Sequence, residues 1–277
     1  MMRDVLTIAR LTLQEAARRK IFLAALLAGA AFLALYGIGL HFMVREESGK
    51  MTLIERRVFL NVLTLAGLYA ASLLTTMTAV LLPVDTLSGE IASGVIQTVA
   101  VRPIRRRDIV LGKWLGHWLV MGAYFVLMAG GVLAILAIRA NFTPPRVEAG
   151  LPLMLLEATV LLTISIAGGT RLSTVTNGVL AFGLFGLAFI GNWVEQIGTF
   201  AGNDTARSVG TVASLIMPSE SMWQLAAAQM QPSILRDLGA TPFSPLSVPS
   251  PAMVWWAIGY VVVTLLIATR AFGRRPL

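Results

Sequence analysis

Few side chains in this 277-residue sequence are suited to covalent or metal chemistry. Cysteine is absent and the only histidines are His41 and His117, so neither thiolate nor histidine metal clusters can be built within one chain. There is no His-Glu-x-x-His run and no pair of aspartates within an apolar stretch, which speaks against an intramembrane enzyme. Gly112-Lys113-Trp114 lacks the preceding glycines and the following hydroxyl of a phosphate-binding loop. ATP, if used, must therefore be bound by another polypeptide. The polar residues that do form a pattern lie between Leu87 and Lys113. Glu90 comes first, then Gly94, Pro103, the cluster Arg105, Arg106 and Arg107, and last the pair Gly112-Lys113.

This segment reads as two short helical pieces around a break. Ser88, Gly89 and Glu90 are expected to end an apolar stretch and start a new helix, with the Glu90 carboxylate favoured near unpaired amides. Gly94 permits a bend or close approach, Val95, Ile96, Val99 and Val101 give an apolar side, and Arg102-Pro103 is a poor continuation of a helix. Arg105, Arg106 and Arg107 then open the next helix. A basic loop beside a membrane accounts for the arginines, but not for the order in which acid, glycine, proline and Gly-Lys occur. That order suits a docking surface for a soluble partner.

The elements that must position this segment are membrane spans. Hydrophobic residues make up 56% of the chain and charged ones 13%, about half the charge share of a soluble domain. The mean hydropathy is +0.77. Apolar stretches long enough to cross the bilayer fall at 21–43, 60–83, 114–138, 151–168, 174–193 and 252–269. The first is too long for a signal-peptide core and no small-residue cleavage site follows, so it reads as an uncleaved span. Lys and Arg total 22, and most fall on one side of this layout: Arg3, Arg10, Arg18, Arg19 and Lys20; Arg102, Arg105, Arg106, Arg107 and Lys113; Arg171, Arg270, Arg274 and Arg275. By the positive-inside rule both termini are cytoplasmic, with Arg56 and Arg57 the discordant pair. The formal net charge of +8 is thus explained by topology, and no nucleic-acid partner is implied.

The whole chain, 1–277, reads as one permease-like membrane domain. Residues 1–20 form an amphipathic helix, with Arg3, Thr7, Arg10, Gln14 and Arg18 on one side and Val5, Ala9, Leu13 and Ala16 on another. It either anchors the first span at the inner surface or contacts a cytoplasmic partner. Residues 84–113 form the inner loop described above. Residues 194–251 form an outer region, with one helix over Asn203–Met217, an end at Pro218, a second helix from Ser219 or Glu220 to Met230, and a proline-rich connector. That region is expected to be a small helical cap outside the membrane.

With these features in place, the sequence resembles the permease subunit of ABC-2 type ATP-binding-cassette exporters, in the broad group that includes multicopper enzyme maturation permeases. The likeness is carried by Glu90, Gly94, Pro103, Arg106 or Arg107, and Gly112-Lys113, together with the layout of spans. It implies an all-α integral membrane protein of the type V exporter kind, with six transmembrane helices and an N-terminal amphipathic elbow helix. It implies that Glu90, Gly94, Pro103, Arg106, Arg107, Gly112 and Lys113 serve coupling to an ATPase, with the Glu90–Gly94 helix seated in a cleft of that partner. It further implies no cofactor in this chain, ATP and Mg²⁺ on a cytoplasmic ATPase present in two copies, a second permease, identical or homologous, and a location in a prokaryotic plasma (inner) membrane among its lipids.

Within the spans, Glu157 is the one acid expected at depth, where an ionised group must face protein or water. It and Asn177 are candidates for a substrate path, although each also fits a structural role. Asp85 belongs with the inner loop. Gly183 and Gly186 alternate with Phe182, Phe185 and Phe189, which suggests span five for a permease–permease interface. Two other readings stand beside the exporter. A secondary transporter would show more ionisable residues at mid-membrane and often an internal repeat. A noncatalytic sensor or assembly subunit would use the same fold.

Overall fold

The computed structural model describes residues 2–47, 51–94, 105–232 and 247–275. Pro103 and the predicted apolar stripe Val95–Val101 lie outside the described residues. The described chain is all helical: α1 (Met2–Ala17), α2 (Lys20–Glu47), α3 (Leu53–Leu81), α4 (Thr86–Ala92), α5 (Arg106–Ala140), α6 (Val147–Gly169), α7 (Thr174–Phe200), α8 (Asp204–Ile216), α9 (Ser219–Met230) and α10 (Ala252–Gly273). Six of them, α2, α3, α5, α6, α7 and α10, are long and apolar enough to cross a membrane. Even the 22-residue α10 reaches about 33 Å, the thickness of a hydrocarbon core.

The helices outrun the hydropathy-based spans at their polar ends. α5 starts at Arg106 rather than near residue 114, and α7 continues to Phe200. Hydropathy finds the lipid-soluble part of a helix, whereas hydrogen bonding carries the helix on into charged residues. The break after α3 also falls earlier than expected. The helix ends before Pro83, which has no N–H to continue the ladder, and Ser88, Gly89 and Glu90 lie inside α4. Local caps set other starts: Thr52 and Glu55 bond reciprocally at the head of α3, Ser173 caps α7 and Asn203 caps α8.

α3, α5 and α6 form the centre, and α2, α7 and α10 lie outside them with broad apolar faces exposed. α5 and α6 run antiparallel along a two-rung ladder. Trp114 Nε1 donates to Thr163 Oγ1 at 2.9 Å and Trp118 Nε1 donates to Thr159 Oγ1 at 3.0 Å. The spacing of four residues on both helices places both rungs on one face. At the periphery, the α3 backbone carbonyl of Leu63 accepts from Tyr36 on α2, and the α2 carbonyl of Ala25 accepts from Tyr124 on α5, each at 3.0 Å.

The segment after α7 is not a cap laid over the bundle. α8 folds back along α7, with Ala206 against Gly198, Gly210 against Glu195, and Ala213 against Gly191. These pairs descend α7 as they ascend α8, so the two helices are antiparallel. After Pro218 the chain reverses, and α9 returns between α6, α3 and α7 until Met230 packs on Gly150 and its carbonyl accepts from Asn61 Nδ2 at 3.1 Å. The turn of this hairpin, with Met217 and Met222, is buried with Val160, Ala188 and Ala257, well along the spans. Helix boundaries here match the sequence pattern, but the placement does not. Exposed apolar residues on α8 give no sign in sequence of which side the missing side chains of Gly191, Gly198 and Gly210 leave open.

A Cβ on Gly210 would meet the Glu195 side chain and lie 2.7 Å from the Gly191 carbonyl oxygen. Gly210→Val should therefore unseat α8 from α7, at a cost of about 1–3 kcal/mol. Thermal unfolding of the detergent-purified variant checks this, with Gly259→Val, where nothing lies within 4 Å, as the unaffected comparison.

Candidate functional site

The clearest constellation of predicted residues is at the α1–α4 end of the bundle. α1 packs lengthwise on the first turns of α5. A Cβ on Gly112 would stand 2.9 Å from the Val5 carbonyl oxygen, and one on Gly116 would stand 2.7 Å from that of Ala9. Ala9, Thr12 and Ala16 complete the buried stripe of α1. Gly112 is thus an approach point for the N-terminal helix, and the basic face of α1 turns outward. This supports the anchoring role of α1 through protein contact as well as surface chemistry.

α4 has only seven residues, far below the roughly 12–15 at which an isolated helix becomes marginally stable. Side chains from its neighbours hold it. The Lys113 ammonium from α5 pairs with the Glu90 carboxylate, and both side chains are largely buried. His117, one turn further along α5, donates from Nδ1 to the Lys113 carbonyl at 2.8 Å and places Nε2 3.2 Å from Thr86 Oγ1. Because a carbonyl only accepts, the ring hydrogen of that bond is on Nδ1. Ser88 Oγ meets Thr174 Oγ1 of α7 at 2.8 Å. Just before α4, Asp85 binds the Arg19 guanidinium, which also holds Glu15 of α1. Burial pushes the Glu15 carboxyl up, yet the Arg19 hydrogen bond and charge outweigh it and leave the group below its ordinary range. Gly94 ends the segment at φ +74°, a conformation that L side chains rarely adopt.

These contacts revise the assignment of Glu90. It lies in the last turn of α4, not near its start, so a favourable interaction with N-terminal amides is not available. Its partner is Lys113, 23 positions along the chain, and the two ends of the sequence pattern meet in space. Arg106 leaves this group: its Nη1 donates to the carbonyls of Gly273 and Arg275, while Arg275 donates to the Thr170 carbonyl at 2.6 Å. The C-terminal tail is thereby stitched to the starts and ends of α5, α6 and α10. Arg107 is half-exposed and lies 3.7 Å from the buried Asp108 carboxylate. Arg19 was not among the sequence candidates; its only signal is a basic residue between two helices.

The two polar candidates for a path do not come together. Asn177 is fully buried near the start of α7 and donates to the carbonyls of Val84 and Ser165 at 3.0 and 2.8 Å, bracing α6, α7 and the α3–α4 turn. Glu157 lies eight residues from Ser165, about 12 Å along α6, and accepts from Ser72 Oγ of α3 at 2.6 Å. α9 packs antiparallel on α6, with Met230 at Gly150, which brings Glu220 to within about one turn of the same level. Sequence reading took Glu220 only as a helix start; its spacing of four from Gln224 was the available signal. Among the described residues no group of three or more His, Cys, Asp or Glu side chains is arranged to hold a metal.

Six spanning helices, a surface-packed N-terminal helix and a short pinned helix between spans two and three define a membrane permease. The model of the ABC-2 family transporter proteins matches residues 6–277. The chain belongs to that family and is a noncatalytic transport subunit. A search of curated proteins returned no match.

Lys113→Met leaves the Glu90 carboxylate buried without its cation, and Glu90→Gln does the reverse. Each should lower the unfolding temperature, and the double variant should recover part of the loss, with a coupling of about 0.5–3 kcal/mol in a double-mutant cycle. Additive losses would mean that the pair contributes nothing as a pair.

Proposed function

We propose that this chain is the membrane subunit of an ATP-driven exporter in a prokaryotic inner membrane, with both termini cytoplasmic and α4 presented to a soluble ATPase. The observation that carries this reading is the way a seven-residue helix is fastened by side chains to α5, α7 and the α1–α2 junction. A helix held on several spans at once can transmit a push to all of them. ATP and Mg²⁺ act on the partner, whose closure would displace α4; Glu90–Lys113 and Thr86–His117 then pass the movement to α5. In this scheme Glu90 is a positioning residue whose carboxylate is turned inward. Gly94 ends the segment at a positive φ, and the basic residues Arg106 and Arg107 stand at the head of α5.

Two permeases with two ATPases make a two-fold assembly. The second permease is assigned to the outer face of α7. Gly183 and Gly186 have nothing within 4 Å there, Phe185 and Phe189 stack, and Trp193 meets Phe189 edge-on. Small residues beside bulky ones allow close helix contact in lipid, where packing replaces the hydrophobic driving force. Kinship with the multicopper enzyme maturation permeases rests on the loop pattern, and His41 and His117 belong to opposite halves of the chain's apolar layout, so no shared metal route follows from them.

Purification of the tagged chain in mild detergent should retain a soluble ATPase in stoichiometric amount. Glu90→Ala and Gly94→Val should weaken that association about five-fold or more while permease abundance holds. Equal loss of abundance and association would indicate misfolding, and a folded permease with no ATPase in its native host would refute the reading. An ATPase that binds and hydrolyses, with no solute moved, would favour the sensor or assembly role.

A further inference from the structure

α9 carries polar groups where a helix enclosed by apolar neighbours has little reason to hold them. Its Glu220 is 2% exposed and the Glu157 of α6 is 3% exposed. Each is met by neutral donors: Ser72 Oγ bonds Glu157 Oε2 at 2.6 Å, and Asn192 Nδ2 of α7 bonds Glu220 Oε2 at 3.2 Å. Gly150 of α6 meets Met230 of α9, and Val160 and Leu161 share a buried cluster with Met222 and Leu225, so the helices run antiparallel and Glu157 and Glu220 fall within about one turn of the same level. Among the described residues no Lys, Arg or His pairs with either one. One helical turn beyond Asn192, the buried Glu195 accepts from a hydroxyl, Ser247 Oγ, at 2.8 Å. The remaining buried acid, Asp108, has Arg107 beside it.

A second observation points to an occupant. Gln224 is 3% exposed, one turn from Glu220 on the same face of α9, and its amide nitrogen is bound to Asn192 Oδ1. Among the described residues its Oε1 has no hydrogen-bond partner, and neither does the buried hydroxyl of Ser221. Buried oxygen without a donor is costly, and two neighbouring carboxylates without a cation are more so. Ser221 also lines a 750 Å³ cavity whose wall includes Glu195 and Asp204, which gives small solutes an approach to the residue next to Glu220. Carboxylate, amide and hydroxyl oxygens with no thiolate or imidazole suit a hard cation.

We propose that Glu157 and Glu220, completed by Asn192 and Gln224, form a cation-exchange site between α6, α7 and α9 that holds a proton or an alkali ion. This goes beyond the coupling role and does not depend on it. The other titratable groups on helices packed against α9 are Tyr69 of α3 and Glu195 of α7, Asp204 and Arg207 on α8 and Tyr260 on α10, with Glu55, Arg56 and Arg57 at the head of α3 and Arg270 in the last turn of α10. Arg146 and Glu148 belong to the opposite end of α9, where Arg146 bonds Gln229 at 3.2 Å. Burial raises the Glu220 carboxyl to about 7, a shift that the Asn192 hydrogen bond partly offsets. An acid raised on folding costs stability once it must ionise. The penalty grows as pH rises from the ordinary carboxylate range and is complete above about 7. A bound cation relieves it there.

The test uses the full chain in lipid nanodiscs, without ATP. In choline buffer the unfolding temperature should fall as pH rises from the ordinary carboxylate range to about 7 and then level off. Sodium should restore it, with saturable binding of radioactive sodium that protons displace. Glu157→Gln and Glu220→Gln should abolish both effects, while Gln224→Leu, which keeps the acids, should weaken sodium binding about tenfold, or 1.4 kcal/mol. A protonated-carboxyl infrared band that titrates and is lost in either glutamine variant, without sodium binding, identifies the proton as the occupant. If the wild-type chain shows neither sodium binding nor such a band, the site does not exist as proposed. An unfolded glutamine variant leaves Gln224→Leu and the wild-type titration to decide.

Discussion

A bilayer offers its helices no hydrophobic reason to associate, because lipid tails are as apolar as the side chains they would replace. Everything else in this molecule follows from how six apolar helices are nevertheless held together. The structure uses two means, close backbone approach at small residues and hydrogen bonds between helices. Gly112 and Gly116 admit the backbone of α1, and Gly191, Gly198 and Gly210 admit α8 against α7. Ser165 bonds the Val80 carbonyl, Asn177 bonds two others, and two tryptophans bond two threonines across α5 and α6. Each such bond satisfies a group for which the membrane has no water to offer.

The same constraint gives meaning to places where pairing is uneven. At the α1–α4 end Glu15, Asp85 and Glu90 each have a basic partner, so that region is tied together across its helices. Arg19 joins the end of α1 to the approach of α4, and Lys113 joins α4 to α5. Around α9 the balance is different: among the described residues Glu157 and Glu220 have no basic partner, and side-chain oxygens are left over. On the function proposed above, the first region would pass force between helices and the second would hold a cation. A transport subunit has use for both, since movement and selection are separate tasks.

The hairpin of α8 and α9 connects them. Running back along α7 and returning against α6, it places a nearly fully buried, partly polar helix beside spans that also contact α4 at their other end. α7 is common to both regions: Thr174 at its start meets Ser88 of α4, and Asn192 near its end meets Glu220 and Gln224 of α9. A displacement of α4 thus has a continuous helix along which to reach the buried acids.

Hydropathy, charge asymmetry and helix signals in the sequence determined the class of molecule, the six spans, the amphipathic first helix, and the boundaries of α8 and α9 at Asn203, Pro218 and Met230. These are local properties, set by each segment's own composition and hydrogen bonding. The sequence also marked Glu90, Gly112 and Lys113 as belonging together, without showing that Lys113 turns Glu90 inward. Only the tertiary structure decided that pairing, the departure of Arg106 to the tail, the bracing role of Asn177 and the packing of α9 on α6, which brings Glu157 and Glu220 to nearly one level although they are 63 positions apart (220 − 157). The reason is that helix periodicity tells which residues share a face but not which other face will cover it. That is settled by the fit of small residues against backbone and by the few polar groups that must find partners in a medium without water.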